Sequence, residues 1–511
     1  MKILNAEGLK RWDLETSNSM LGGGFALMEK ACQAFCEEFQ QHFSPTRTPV
    51  DIFCGKGNNG GDGYGIARIL SFIGYQIKVY GIGDLADLSP DCQKNRQKLF
   101  HLGIEVTLLE ESSPHPCPNS NSVIIEALFG YGLNRPLTGF ALKLIEHLNS
   151  LPNPKVSVDV PAGMLLDYSN EDLTVFKSDM TVTFGCMKLP FILPDYGNLV
   201  GDVKIKDIGL CQKSLADIPC DNYLVDIQRI QELWKRRETF SHKYRYGHLC
   251  LIGGSLGKMG AVAMAGKGAF RTGVGLVTAC VPQQCMILFQ NLLHEAMCVE
   301  AKGDKYITKI PPLPAKINSV VLGPGLGIDS NQATATAVVE WLKLSETFCL
   351  MKVIDADAIR VIGQDKSLLP HLANNTVMTP HGGEFESLCG KSANYPEKLR
   401  KLRTFCRETN VVVVLKDSYT AIGDPNGNIW FIDGGTPALA KAGSGDVLSG
   451  MIGALLAQNY QPLHAAIVGA YLHTECGKLA TNRYGHHSLL ATELTDFIPD
   501  VIAKIEQANH H

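Results

Sequence analysis

The sequence predicts an α/β protein of two domains, each built on a largely parallel, doubly wound sheet. Three observations lead there. Short β-rich apolar runs alternate with longer segments of helical period. Glycine-rich turns follow the runs rather than interrupt them. The alternation lapses over residues 209–221 and then restarts. A length of 511 residues allows several domains, 45% hydrophobic residues can fill their cores, and 19% charged residues is low for a disordered chain.

Residues 50–54 read as the first strand, followed by a glycine loop and a helix from about 63 to 73. Strands are expected at 76–82, 105–109, 123–128 and 156–160, with a helix at 91–102. A late strand at 199–205 closes the unit. The first domain is placed at 1–215, a linker at 216–224 and the second domain at 225–511. There the pattern restarts with a strand at 248–252, a glycine loop and a helix at 260–272. Further strands follow at 274–281, 319–322, 353–355, 411–415 and 429–432. No fixed-period repeat relates the halves.

Composition narrows the partners. A net charge of −4 offers no footprint for nucleic acid or an anionic membrane. No apolar stretch reaches 18 residues, so no membrane span is expected, and residues 1–10 lack a signal-peptide run. The 16 cysteines form neither CxxC pairs nor zinc spacings. They read as reduced thiols of a cytoplasmic protein.

Gly55, Gly57 and Gly60 fit GxGxxG between an apolar run and a helix, the Rossmann-like context in which backbone N–H groups meet a pyrophosphate. A tight strand–helix turn is the plainer alternative. The acidic residue that should close the second strand is missing, since Asp84 is late and beside glycines. Asn58, Asn59 and Asp62 instead add polar groups to the loop, so it suits a dinucleotide-like substrate with chemistry nearby. Glu126 and Asp159 lie in later strand runs, Asp159 at the carboxyl edge where such sheets bind ligands. Turn capping is the alternative for Asp159.

The runs GKGNNGGDGYGIAR, EALFGYGLNRP and DVPAG resemble the NAD(P)H-hydrate epimerase, or YjeF N-terminal, family over about residues 1–215. The resemblance implies interconversion of R and S hydrates of the reduced nicotinamide ring with bound K+. It implies substrate contacts at Asn58, Asn59, Gly60, Gly61 and Asp62, and along Gly130, Tyr131, Gly132, Leu133, Asn134, Arg135 and Pro136. Asp159 would handle the proton, and Asn59, Glu126 and Ala162 would surround potassium. The family usually has aspartate and serine in place of Glu126 and Ala162.

Four glycine-bearing loops mark strand ends in the second half, at residues 253–261, 323–327, 379–384 and 442–450. The last places glycines before Asp446 at a helix start, which suits phosphoryl transfer: N–H groups for the anion, a carboxylate for a hydroxyl proton. Helix capping is the alternative. His381 reads as a substrate contact or a capping histidine, and Lys416 as a phosphate contact or a solvated turn. Asp355 and Asp357 could bind a Mg2+–water cluster or cap the next helix.

In order, GGSLGKMGA, VLGPGLG, DADA, TPHGGE and AGSGDVLSG resemble the NAD(P)H-hydrate dehydratase family over about residues 225–505, which implies a ribokinase-like α/β domain. The family removes water from the S hydrate of NADH or NADPH using ADP or ATP. Implied substrate contacts are Ala261, Gly327, His381 and Asp446; implied nucleotide contacts are Lys416, Asp417, Ser418, Tyr419, Thr420 and Gly445. A homo-oligomer is expected by the same resemblance. Two other readings stand at this point: a small-molecule kinase of ribokinase type, and a first domain that binds a dinucleotide without catalysis.

Overall fold

The computed structural model describes residues 1–507 except 84–86, 168, 346–349, 373 and 433. Asp84 lies outside the described residues. The chain divides into two units, Met1–Asn222 and Tyr223–His511.

The first unit holds seven strands: β1 Val50–Cys54, β2 Ile77–Ile82, β3 Val106–Leu109, β4 Val123–Ala127, β5 Lys155–Val158, β6 Met180–Phe184 and β7 Asp202–Lys206. Their order is β3-β2-β1-β4-β5-β6-β7, and every pairing is parallel. The order reverses between β1 and β4, so a crevice opens at their carboxyl ends. β1, β4, β5 and β6 are buried throughout, as strands covered on both faces must be. Two helices, Ala6–Ser19 and Gly23–His42, precede the sheet; their amphipathic pattern adds a layer the alternation does not announce.

The helix after β1 starts at Asn58, five residues before the expected Gly63, and runs to Ile73. Small residues allow the early start: a Cβ on Gly60 would lie 1.9 Å from the Gly55 carbonyl oxygen. Asn58 through Asp62 therefore occupy a helical first turn rather than a loop.

The second unit holds β8 Asn222–Val225, β9 His248–Ile252, β10 Leu276–Pro282, β11 Met297–Ala301, β12 Ser319–Leu322, β13 Met351–Ile354, β14 Thr376–Met378, β15 Val412–Leu415, β16 Thr420–Gly423 and β17 Ile429–Ile432. Their order is β11-β10-β9-β12-β13-β14-β15-β16-β17-β8. From β11 to β15 the pairing is parallel, and β15-β16-β17 pair antiparallel. The helix Ser444–Ala457 is buried from Val447 onward and packs against the helix Met259–Arg271 and the central strands. Such all-round burial explains its uniformly apolar sequence. Among the described residues no helix is long and apolar enough to cross a membrane.

Candidate active sites of the two units

At the β5 terminus Asp159 takes a left-handed backbone, φ +62°, a strained conformation for a non-glycine residue. Its Oδ1 accepts hydrogen bonds from Thr183 Oγ1 at 3.0 Å, Phe184 N at 3.3 Å and Lys188 Nζ at 3.0 Å. The Lys188 side chain is 1% exposed, and its ammonium also donates to the Phe184 carbonyl. Three donors on one oxygen fix the carboxylate and leave Oδ2 without a hydrogen bond among the described residues. Sequence reasoning missed Lys188, although it is the only charged residue between Asp179 and Asp195. An isolated lysine in so apolar a stretch is a signal of a buried partner.

Asp62 lies in the helical first turn; burial, with Asp159 and Asp13 nearby, pushes its carboxyl well above the usual range. Asn58 accepts from Ser89 Oγ at 2.8 Å. Asn59 is buried, and both its amide oxygen and nitrogen lack partners. A Cβ on Gly130 would lie 3.4 Å from the Asn59 Cβ, which puts the turn at residues 130–136 against this amide. Within that turn Tyr131 donates to Asp13 Oδ2 at 2.6 Å, while Gly132, Asn134, Arg135 and Pro136 are exposed and Leu133 is half-buried.

Glu126 is fully buried. Its carboxylate accepts from Leu128 N at 2.6 Å, Ala162 N at 3.0 Å and Ser157 Oγ at 3.2 Å. Burial pushes it up to about 7 against these donors, and no basic side chain offsets that. The Ala162 carbonyl accepts from Phe176 N at 2.8 Å. Among the described residues, a buried amide without a hydrogen-bond partner and a buried carboxylate held only by neutral donors are the features of this unit that suit a monovalent cation.

In the second unit Asp355 after β13, Glu384 beyond β14 and Lys416 after β15 act on Asp446 at the start of the helix Ser444–Ala457, whose N-cap Gly443 has φ +95°. Asp446 lies in its first turn. Burial, then Asp355, push its carboxyl up to about 7, and Lys416 opposes the rise. Lys416 Nζ lies 3.1 Å from Asp355 Oδ1 and 3.1 Å from where a Gly445 Cβ would stand, so the ammonium reaches the helix start. Thr379 Oγ1 holds the same Asp355 oxygen at 2.7 Å. Asp417 and Ser418 form the turn after Lys416, Tyr419 follows, and Thr420 opens β16.

His381 caps the helix Gly382–Cys389: its Nδ1 accepts from Gly383 N and Glu384 N, so the proton sits on Nε2. Its side chain is 61% exposed. The Gly327 amide donates to Asp357 Oδ2 at 2.7 Å, and Arg360 holds the other oxygen of Asp357 at 3.1 Å. Each Asp357 oxygen thus holds one donor and keeps a further lone pair. Ala261 faces the glycine turn, 3.2 Å from where a Gly325 Cβ would stand. His473, also missed from sequence, is buried on the helix Pro462–Ser488 and donates Nε2–H to the Ser444 carbonyl at 2.9 Å. Burial pushes it down to about 4, so it stays neutral.

Residues 249–500 match the family described as NAD(P)H-hydrate dehydratase, and residues 24–189 match the YjeF-related protein N-terminus. A bifunctional NAD(P)H-hydrate repair enzyme from Moorella thermoacetica is 31% identical over 99% of this chain and 98% of its own length. The chain belongs to this family. A protein of the same description from Escherichia coli is 29% identical over 99% of this chain and 95% of its own. A solved structure of an ADP/ATP-dependent NAD(P)H-hydrate dehydratase from Bacillus subtilis, co-crystallized with ATP/Mg2+, is 29% identical. That likeness covers 55% of this chain and 98% of that one, with a TM-score of 0.46. The chain is an enzyme of hydrate repair, with an epimerase unit followed by a dehydratase unit.

Proposed function

We propose that the crevice around Asp159 epimerises the R and S hydrates of NADH and NADPH, and that Asp446 dehydrates the S form with ADP or ATP as co-substrate. The observation that carries the second assignment is Asp446 itself. Its carboxyl stands near 7 at a helix N-terminus within reach of Lys416, poised to take a proton at neutral pH. Hydroxide is a poor leaving group, and phosphate is a better one. Asp446 takes the proton of the ring hydroxyl as that oxygen attacks the terminal phosphorus, whose bond to the bridging oxygen breaks and releases the shortened nucleotide (AMP from ADP, ADP from ATP). Amides of the Gly443–Gly445 turn and Lys416 receive the developing charge. Phosphate departs as the ring nitrogen lone pair forms a C=N bond, and loss of a proton from the neighbouring ring carbon then restores the C=C bond, steps that belong to the substrate. Magnesium would enter with the nucleotide phosphates. Ala261, Gly327 and His381 would hold the substrate, and residues 416–420 the nucleotide.

In the first unit Asp159 uses its open Oδ2 as the proton acceptor, with Lys188 as countercharge. Asn58 through Asp62 and the turn at 130–136 hold the dinucleotide. Potassium would be held by Asn59 and Glu126, with Ala162 offering only a carbonyl, and would supply the positive charge Glu126 lacks. The described cysteines are all free thiols, which suits a cytoplasmic setting.

The test gives the full chain mixed hydrates with ADP or ATP and follows reduced nicotinamide by its absorbance. Asp446→Ala is expected to abolish dehydration and leave epimerisation intact; Asp159→Ala is expected to do the reverse. Loss of both activities in one folded variant contradicts independent sites.

A further inference from the structure

A carbon that carries both a hydroxyl and the ring nitrogen can be inverted by losing its oxygen as water from one face and regaining one from the opposite face. One carboxylate with one open oxygen serves one of these events. Around Asp159 the structure gathers a second polar pair. Asp13, on the helix Ala6–Ser19, accepts from Tyr131 at 2.6 Å across 118 residues of sequence. Asp13 precedes the residues 24–189 matched to the epimerase family. Tyr131 lies in the turn whose neighbour Gly130 abuts Asn59. The fields of Asp13, Asp62 and Asp159 overlap at Tyr131.

We propose that Asp13 and Tyr131 form a second proton-handling pair of the epimerase site, serving the oxygen that Asp159 does not. This rests on the epimerase reading of Asp159 given above. The step balances as follows. Once Asp13 is protonated the shared hydrogen bond reverses, the Asp13 O–H donating to Tyr131 Oη; Oη then gives its own proton to the ring hydroxyl as Asp13 replaces it. The C–O bond breaks, its electron pair leaves with water, and the ring nitrogen lone pair forms a C=N bond. Water then adds from the other face, its oxygen bonding to carbon and its proton passing to Asp159. Exchange with solvent returns both carboxyls to their starting forms, and the roles swap for the reverse direction.

The surroundings of Asp13 support this use. Burial raises its carboxyl to about 6 against the Tyr131 hydrogen bond; Asp159 adds to the rise, and Lys188 opposes it. Asp62 and Cys186 also face its field. A group that titrates near neutrality can give and regain a proton in each turnover.

The test measures R-to-S equilibration by the full-length protein without nucleotide, so the second unit stays idle, over pH 5–9. Asp13→Asn and Tyr131→Phe are each expected to lower kcat by about 10²-fold or more, with KM changed less than about threefold. The double variant is expected to lose no more than either single one. The wild-type decline in rate above about pH 6 is expected to vanish in Asp13→Asn, and Asp13→Glu to recover part of the rate. Denaturant unfolding of the same samples, read on the first unit's transition, reports that this unit is folded in each variant. An Asp13→Asn rate within about threefold of wild type overturns the proposal, as does a loss confined to KM or an unmoved pH limb. Asp159→Asn separates the two layers. If it is inactive while Asp13→Asn is active, only the pair is refuted; if it is fully active, the reading beneath the pair falls too.

Discussion

Replacing Asp446 by asparagine should stabilise the second unit while ending dehydration. The Asp446 carboxyl is pushed from 3.8 to about 7, chiefly by burial and by Asp355. Each tenfold shift in ionisation is worth about 1.4 kcal/mol. Holding the ionised form therefore costs the folded chain at most about 4 kcal/mol. Asp446 keeps partial exposure, and solvent screening brings the figure to about 2 kcal/mol. The sign follows from the raised value. Below about pH 4 the group is protonated whether the chain is folded or not, and the cost is absent. It grows between pH 4 and 7 and is complete above 7. Asparagine removes the charge, so its gain should appear at pH 8 and disappear at pH 4. Denaturant unfolding of the full chain measures this, the second unit's transition being the one that ADP or ATP shifts. An equal effect at both pH values, or no gain at pH 8, would refute the assignment of Asp446 as a strained base.

The dehydration kcat should rise through about pH 7 as Asp446 ionises, and Lys416→Met should move that limb upward by about one pH unit or more by removing the opposing cation; a pH profile at saturating nucleotide checks it. Lys188→Met leaves Asp159 without its countercharge and should cost the first unit about 3 kcal/mol in denaturant unfolding, together with its epimerase activity. His473→Leu strips a donor from the Ser444 carbonyl and should cost about 1–3 kcal/mol. It should lower dehydration while epimerisation by the same sample stays unchanged.

The central strands were legible because both faces are covered: β9, β12 and β15 read as near-continuous apolar runs within a residue of the positions they occupy. β6, with two threonines among its five residues, and β14, three residues long, gave no comparable run. The helix start at Asn58 was read five residues late because glycine lowers helical propensity locally, while tertiary contact demands it there. Asp159 and Asp446 were visible at strand and helix ends. Their surroundings were not: Lys188 reaches Asp159 across 29 residues, Asp13 joins the site through Tyr131, 118 residues away, and His473 holds the Ser444 carbonyl across 29. Spacing alone cannot reveal such contacts. His381 shows the limit for one side chain, since the same motif serves capping geometry and substrate contact alike.

The strand β8, at the edge of the second sheet, carries a consequence for how the protein is made. Its neighbour is β17, and Tyr223 stacks on Trp430 with ring centroids 4.3 Å apart. On a ribosome β8 emerges first and must wait for about 200 further residues before its partner exists. Closing such a loop costs on the order of 5 kcal/mol in chain entropy. The seven strands of the first sheet end at Lys206, so that sheet can be completed while the second is still being synthesised. During that interval β8 is an unpaired edge with free backbone donors, the kind of segment that chaperones shield. Synthesis order thus makes the half that folds late the one most exposed to misassembly.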